Sequence, residues 1–207
     1  METYQIKLTF IKEILGATPK DRDVYASFVA DKAALDDEEL AAELATVERV
    51  EEKGWTGFRR WAANGSPFLA AYVIKGFFKA ACGALRRAPG TDSKKLTAFK
   101  KVIDGLVFVE PDEIELVLPD GAEMGTLERP LRAQTAQGER VALARSDTCP
   151  AGTTLEFEVM ILGGISRSLL IEWLEYGRLS GLGQWRNAGY GRFTYEILGG
   201  RGEAGQG

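Results

Sequence analysis

Histidine is absent from this chain of 207 residues. That absence removes Ser/His/Asp triads, imidazole acid–base chemistry and most zinc sites together. Any catalysis would have to rest on Asp or Glu with a metal ion, or on Lys, Tyr or Arg. Cysteine is nearly as scarce: only Cys82 and Cys149 occur. They lie far apart without CxxC spacing, which argues against a metal knuckle or a disulfide framework and for buried thiols in a reducing compartment. Apolar runs are short, none nearing the ~18 residues of a membrane span. The opening METYQIKLTF has neither the basic nor the apolar region of a secretory signal. A cytoplasmic location without a membrane partner is expected.

Net positive charge is also missing, the formal total being −4. The deficit is local. Residues 31–53 (DKAALDDEELAAELATVERVEEK) hold nine acidic and three basic residues, so this stretch carries −6 and the remaining chain +2. Such asymmetry leaves room for a basic face on an acidic protein; an ordinary surface with one acidic helix fits the composition as well.

The periodicities predict a mixed α+β chain. Tyr4–Leu15 reads as a first strand. Leu35, Leu40, Leu44 and Val47 mark an amphipathic helix with Asp36 and Asp37 in its first turn. GWTGFRRWAANGSPF reads as a loop or a short hairpin around Asn64-Gly65. AAYVIKGFFKAACGALRR has helical spacing, SKKLTAFKKVIDG a second helix, and LVFVE and EIELVLPDG are strands. RPLRAQTAQGERVALAR suits a hairpin around Gln137-Gly138. PAGTTLEFEVMILGG alternates as a strand, SRSLLIEWLEYGRL is a helix, and RFTYEIL closes as a strand. With the insertions set aside the order is βαββαβ, the ferredoxin-like arrangement also used by RNA-recognition sheets. This predicts a single domain over 1–198. It carries a mainly helical acidic insertion at 20–60, a hairpin insertion at about 110–148 and a disordered tail at 199–207.

Three stretches could carry function. In GLGQWRNAGYGRF, Gly181, Gly183, Gly189 and Gly191 allow close backbone approach and amide cradling of phosphate. Arg186 and Arg192 add charge there, and Trp185 or Tyr190 could stack on a base. The stretch follows a helix and precedes a strand, the reverse of a dinucleotide fingerprint. A structural crossover with Trp185 as an apolar lid fits equally. In GSPFLAAYVIKGFFKAACGALRR, Lys75, Gly76 and Lys79 suit phosphate contact near a helix start, or a solvated helix face. In ERPLRAQTAQGERVALAR, Arg129, Arg132, Arg140 and Arg145 suit bidentate phosphate contact, or a solvated hairpin.

Together these stretches resemble the RAMP superfamily. GSPF followed by VIKGFFKAACGALRR is similar to its first-helix signature, and GLGQWRNAGYGRFTYEIL to its C-terminal glycine-rich loop. Pro150 to Phe157 resembles the pattern leading into its third strand. LAAYVIKG departs from the usual Pro-Gly-Ser-Ser, and Phe78-Lys79 stand where an arginine often follows. The likeness covers residues 4–15 and roughly 64–198 and is strongest to small backbone subunits of type III CRISPR effector complexes; a phage or mobile-element relative fits too. It implies an RNA-binding subunit of an antiviral ribonucleoprotein, with Lys75 and Gly76 near the RNA backbone and the 181–191 loop beside them. The partners so implied are single-stranded or guide RNA, further copies in a homo-oligomer or filament, and other effector subunits. No cofactor is expected unless the chain is a nuclease, when Asp21 and Asp23 after the first strand are the weak candidates for holding Mg²⁺. A metal-dependent endoribonuclease and a protein-interaction module or mimic keeping only the fold stand as alternatives.

Overall fold

Strict alternation builds the first element. In β1 (Glu2–Phe10) Tyr4, Ile6, Leu8 and Phe10 are buried, because successive strand side chains point to opposite faces. The computed structural model describes the backbone of residues 1–21, 54–135 and 138–202, and the side chains of all of these but 131–142 and 201–202. The acidic helix expected within 31–53, like most of the 20–60 insertion, lies outside the described residues.

The strands that follow are β2 (Ile14–Leu15), β3 (Thr18–Pro19), β4 (Trp55–Gly57), β5 (Arg59–Arg60) and β6 (Pro67–Ala70). Helix α1 (Ala71–Leu85) comes next, then a 3-10 turn (Asp92–Lys95) and helix α2 (Phe99–Leu106). Strands β7 (Val107–Glu110), β8 (Glu113–Glu115), β9 (Gly125–Thr135), β10 (Gly138–Cys149) and β11 (Thr154–Ile161) lead to α3 (Arg167–Ser180) and β12 (Phe193–Gly202).

The principal sheet runs β12-β1-β11-β7 and is antiparallel throughout. Ile6 faces Phe157 on one side and Ile197 on the other, past a bulge at Gln5/Ile6. One face of this sheet receives α1 through Ile74, Phe77, Phe78 and Ala81, and α3 through Leu170, Trp173 and Leu174. Phe77 meets Phe193 edge-on at 5.7 Å, and Phe78 meets Trp173 at 5.6 Å. A Cβ on Gly177 would sit 2.8 Å from the Phe77 ring, so only glycine lets α3 come this close. Burial of these aromatic and branched side chains, each contributing ~1.5–3 kcal/mol, is the main stabilisation of the domain.

A second sheet runs β2-β10-β4-β3, with β9 on β10, and a third runs β5-β6-β8. The hairpin around Asn64-Gly65 is present: Arg59 and Arg60 pair with Phe68 and Pro67, and the Asn64 Oδ1 accepts from the Ser66 amide at 3.0 Å. The long β9–β10 hairpin matches the expected one, its turn residues 136–137 lying outside the described residues.

Two expectations need correction. The first strand ends at Phe10 rather than Leu15, and Ile14 and Leu15 join the second sheet opposite Cys149 and Thr148. The segment expected to be a disordered tail from 199 is still strand as far as Gly202, pairing with Glu2 to Gln5. Backbone pairing needs no apolar side chains, which is why GGRG gives no sequence signal.

Candidate nucleic-acid interface

Between the end of α3 and the start of β12, the loop bearing the glycines folds on itself. Gly181, Gly183, Gly189 and Gly191 all have positive φ, from 69° to 86°, which favours glycine strongly. Three are also demanded by close packing. A Cβ on Gly191 would collide with the Leu182 carbonyl oxygen and lie 2.9 Å from its carbon. One on Gly181 would lie 2.9 Å from the carbonyl carbon of Gly191, and one on Gly183 would lie 2.8 Å from the Leu15 oxygen. At Gly189 the nearest atoms are side-chain ends, the Arg192 Cδ at 3.7 Å and the Lys12 Nζ at 3.8 Å.

Of the glycine amides expected to cradle phosphate, those of Gly181, Gly189 and Gly191 are used inside the fold. Gly181 N–H donates to Gly177 O at 2.8 Å, Leu182 to Gly191 O at 2.9 Å and Gly191 to Glu13 O at 2.9 Å. Ala188 and Gly189 donate to Trp185 O and Arg186 O. What the loop presents outward is side chains. Trp185, itself at φ 52°, stacks on Tyr190 with centroids 5.2 Å apart and planes 6° from parallel. The Lys12 Nζ stands 4.0 Å from the Tyr190 centroid and donates to Ala188 O at 2.8 Å. The Arg129 guanidinium stands 4.7 Å from the Trp185 centroid. The tryptophan neither caps the core nor lies bare; it sits in a small stack of rings and cations, 38% exposed.

Arg129 differs most from its expected role. It reaches from β9 into the protein with 7% exposure, and burial pushes its guanidinium pKa down. Its Nη1 donates to Ser146 Oγ at 3.2 Å and its Nη2 to Gln184 Oε1 at 3.0 Å, while its Nε has no hydrogen-bond partner. No carboxylate pairs with it among the described residues. A buried cation is thus held by an amide, a hydroxyl and a ring beneath the exposed edge of Trp185. Lys12 and Gln184, which complete this cluster, carry no pattern in the sequence; only tertiary contact reveals them.

The other predicted residues divide. Arg186 opens a short 3-10 turn (Arg186–Ala188) beside the ring pair. Arg192 turns away, its Nε donating to Arg178 O at the end of α3 at 2.8 Å. Arg145 pairs with Glu128 across the hairpin and lies 5.5 Å from the Trp55 ring. Arg132 and Arg140 stand opposite Val141 and Ala133 in the ladder, and their side chains lie outside the described residues. Lys75 donates to Asp104 O at 2.9 Å and Lys79 pairs with the Asp104 carboxylate at 2.7 Å, so both are engaged by α2. Gly76 faces open space.

Beside the arginine cluster, Lys20 and Asp147 form an ion pair at 2.8 Å, each side chain 5% exposed, with Trp55 Nε1 donating to Asp147 Oδ1 at 2.9 Å. Asp21 follows this pair, and Asp23 lies outside the described residues. Among the described residues no group of three His, Cys, Asp or Glu side chains is placed to hold a metal ion.

The face of the principal sheet turned from the helices carries Lys7, Glu110, Glu156, Glu158 and Glu196, with Lys7 bound to Glu156 at 2.9 Å. RNA-recognition sheets present aromatic rings for stacked bases on that face. Here Phe108, 41% exposed, stands on a face whose charges are four glutamates and one lysine, a balance that disfavours phosphate.

No family model and no curated protein matches the chain. Among solved structures, a chain in the cryo-EM structure of the Type III-B Cmr-beta bound to cognate target RNA superposes with a TM-score of 0.55 at 11% identity, over 97% of this chain and 60% of that one. A chain of a Type IV-B CRISPR complex gives 0.49 at 14% identity, over 99% and 92%. The present chain thus spans about 60% of the length of its type III-B neighbour. At such identity the likeness is one of architecture: this α+β chain shares its fold with a chain of that type III-B assembly.

Proposed function

We propose that the chain is an RNA-binding, backbone-type subunit of a CRISPR-like ribonucleoprotein, built on a ferredoxin-like RAMP core and assembling with copies of itself along single-stranded RNA. The fold likeness to a chain in an RNA-bound type III-B structure, extending over 97% of this chain, carries the reading. The strand order β12-β1-β11-β7, with helices on one face, supports the ferredoxin-like part of the reading. The cluster of Lys12, Tyr190, Trp185 and Arg129 brings positive charge and the edges of two rings together, and positive charge along a surface supports single-stranded nucleic-acid binding. The alternative of a metal-dependent endoribonuclease rests on Asp21 and Asp23 and gains no geometric support among the described residues, so binding is the reading carried forward.

Fluorescence anisotropy with labelled single-stranded RNA tests it. The wild-type chain is expected to bind with a strong salt dependence. Trp185→Ala, which removes the ring that Tyr190 and Arg129 pack against, and Arg186→Glu, which reverses a charge beside it, are each expected to weaken binding about tenfold. Wild-type affinity in both variants, with unchanged circular dichroism, would remove the loop from the interface.

A further inference from the structure

A second cationic surface lies away from the glycine loop. Between the C-terminal half of α1, the 3-10 turn and the start of α2 there is a concave groove of about 890 Å³. Its walls carry Lys79, Arg86, Arg87, Lys94 and Lys100, and among the described residues no carboxylate lines it. Its floor is made of small residues, Ala80, Gly83 and Ala84, with the Phe99 ring beside them.

The groove is built rather than incidental. Gly83 packs against the Phe99 ring, and a Cβ there would lie in ordinary contact with it at 3.4 Å. Arg86 lies 5.1 Å from the Phe99 centroid. The turn that presents Lys94 is clamped to α3 by Glu172, whose carboxylate accepts from the Asp92 amide at 2.8 Å and the Ser93 amide at 2.9 Å. Trp173 Nε1 donates to Ser93 Oγ at 3.0 Å and fixes the same turn.

The state of the cations separates this groove from the other basic residues described above. Lys12, Lys75, Arg129 and Arg192 each spend donors on internal acceptors. In the groove Lys79 alone is ion-paired, to Asp104. Arg86, Arg87, Lys94 and Lys100 have no carboxylate partner among the described residues. Gathering like charges without counter-charge is unfavourable unless an anion occupies the site. The small-residue floor offers no socket for an apolar peptide anchor, and Phe99 is already covered by Arg86. A row of cations along an open groove suits a phosphate backbone instead.

We propose that this groove binds the phosphates of a single-stranded RNA, as a contact surface additional to the glycine-loop cluster. The proposal rests on the reading of the chain as an RNA-binding subunit. It assigns to Arg86, Arg87, Lys94 and Lys100 a role separate from the loop, none of whose residues line the groove.

The test titrates salt against anisotropy of labelled oligouridine, using the intact chain and Arg87→Ala/Lys94→Ala/Lys100→Ala, three exposed positions. Removing three phosphate contacts at ~0.7 each lowers the log–log salt slope by about 2, and binding at about 0.1 M salt falls about 100-fold. If the triple variant loses its fold, Lys94→Gln/Lys100→Gln decides the matter with a slope change of about 1.4. Wild-type RNA binding with affinity and slope unchanged in the variant overturns the groove and leaves the RNA-binding reading standing. No RNA binding by the wild type overturns both. Equal loss of oligothymidine and oligouridine binding supports a phosphate contact; a loss confined to oligothymidine overturns the assignment to RNA. Binding of polyglutamate through these residues, without binding of oligouridine, makes the occupant an acidic protein and overturns the proposal.

Discussion

Replacing Gly191 by alanine separates a loop shaped by packing from a loop shaped for a ligand. Gly191 is buried at φ 69°, where a Cβ costs roughly 1–2 kcal/mol. The added methyl would also strike the Leu182 carbonyl, with its carbon only 2.9 Å away. That carbonyl cannot move freely, because Leu182 N–H is bound to Gly191 O at 2.9 Å and Gly191 N–H to Glu13 O at 2.9 Å. Relief means losing at least one of these bonds and burying its groups unpaired, a further ~2–3 kcal/mol. Against this, alanine stiffens the unfolded chain by ~0.4–1 kcal/mol. The net loss is about 3–4 kcal/mol. Gly189→Ala meets only ordinary contacts and costs about 1 kcal/mol from its positive φ. In urea, with a slope of ~2 kcal/mol/M, the midpoints fall by about 1.5–2 M and about 0.5 M respectively. Equal shifts for the two variants, or an unmoved midpoint with abolished RNA binding in Gly191→Ala, would refute the packing argument.

Other consequences follow from buried and hydrogen-bonded groups. Asp147→Asn strips the charge from a pair in which both side chains are 5% exposed, and should destabilise by about 3–5 kcal/mol in urea unfolding; a loss under about 1 kcal/mol would mean that Lys20 finds other compensation. Burial raises the Cys82 thiol and pushes Cys149 up to about 12, so neither should react with Ellman's reagent at mildly alkaline pH until the chain unfolds. Rapid labelling of the native protein would contradict that. Tyr4 and Tyr195 are raised from 10.0 to about 12, chiefly by burial and then by their hydrogen bonds to Glu2 and Glu175. The folded chain therefore holds these protons more tightly than the unfolded one. Stability should be complete below pH 10 and decline as pH climbs towards 12. A flat denaturation midpoint across that window, or a tyrosinate absorbance change near pH 10 that is lost in Tyr4→Phe/Tyr195→Phe, would refute it.

Long periodic segments were legible in the sequence. The alternation in Leu155, Phe157, Val159 and Ile161 and the helical spacing of Phe77 and Ala81 correspond to β11 and α1, since one-sided burial writes itself into the period. The two-residue strands β2, β3 and β5 were not, being too short to show a period and held by partners distant in sequence. The glycine loop was visible as a feature but not in its purpose: glycine written for a ligand and glycine written for a carbonyl one turn away look alike. Arg129 read as a phosphate contact or a solvated hairpin cation alike, yet the packing of β9 and β10 against the loop buries it. Arg86, Arg87, Lys94 and Lys100 each read as ordinary helix-end or surface charges. Only the placement of α1, the 3-10 turn and α2 brings them into one groove.

The most direct test of the account is what the chain carries when purified at about 0.1 M salt, with the bound nucleic acid extracted and the protein sized before and after ribonuclease. The account predicts co-purifying RNA and oligomers that collapse on ribonuclease treatment. An absorbance ratio of protein alone, a size indifferent to ribonuclease and no binding of added single-stranded RNA would contradict it.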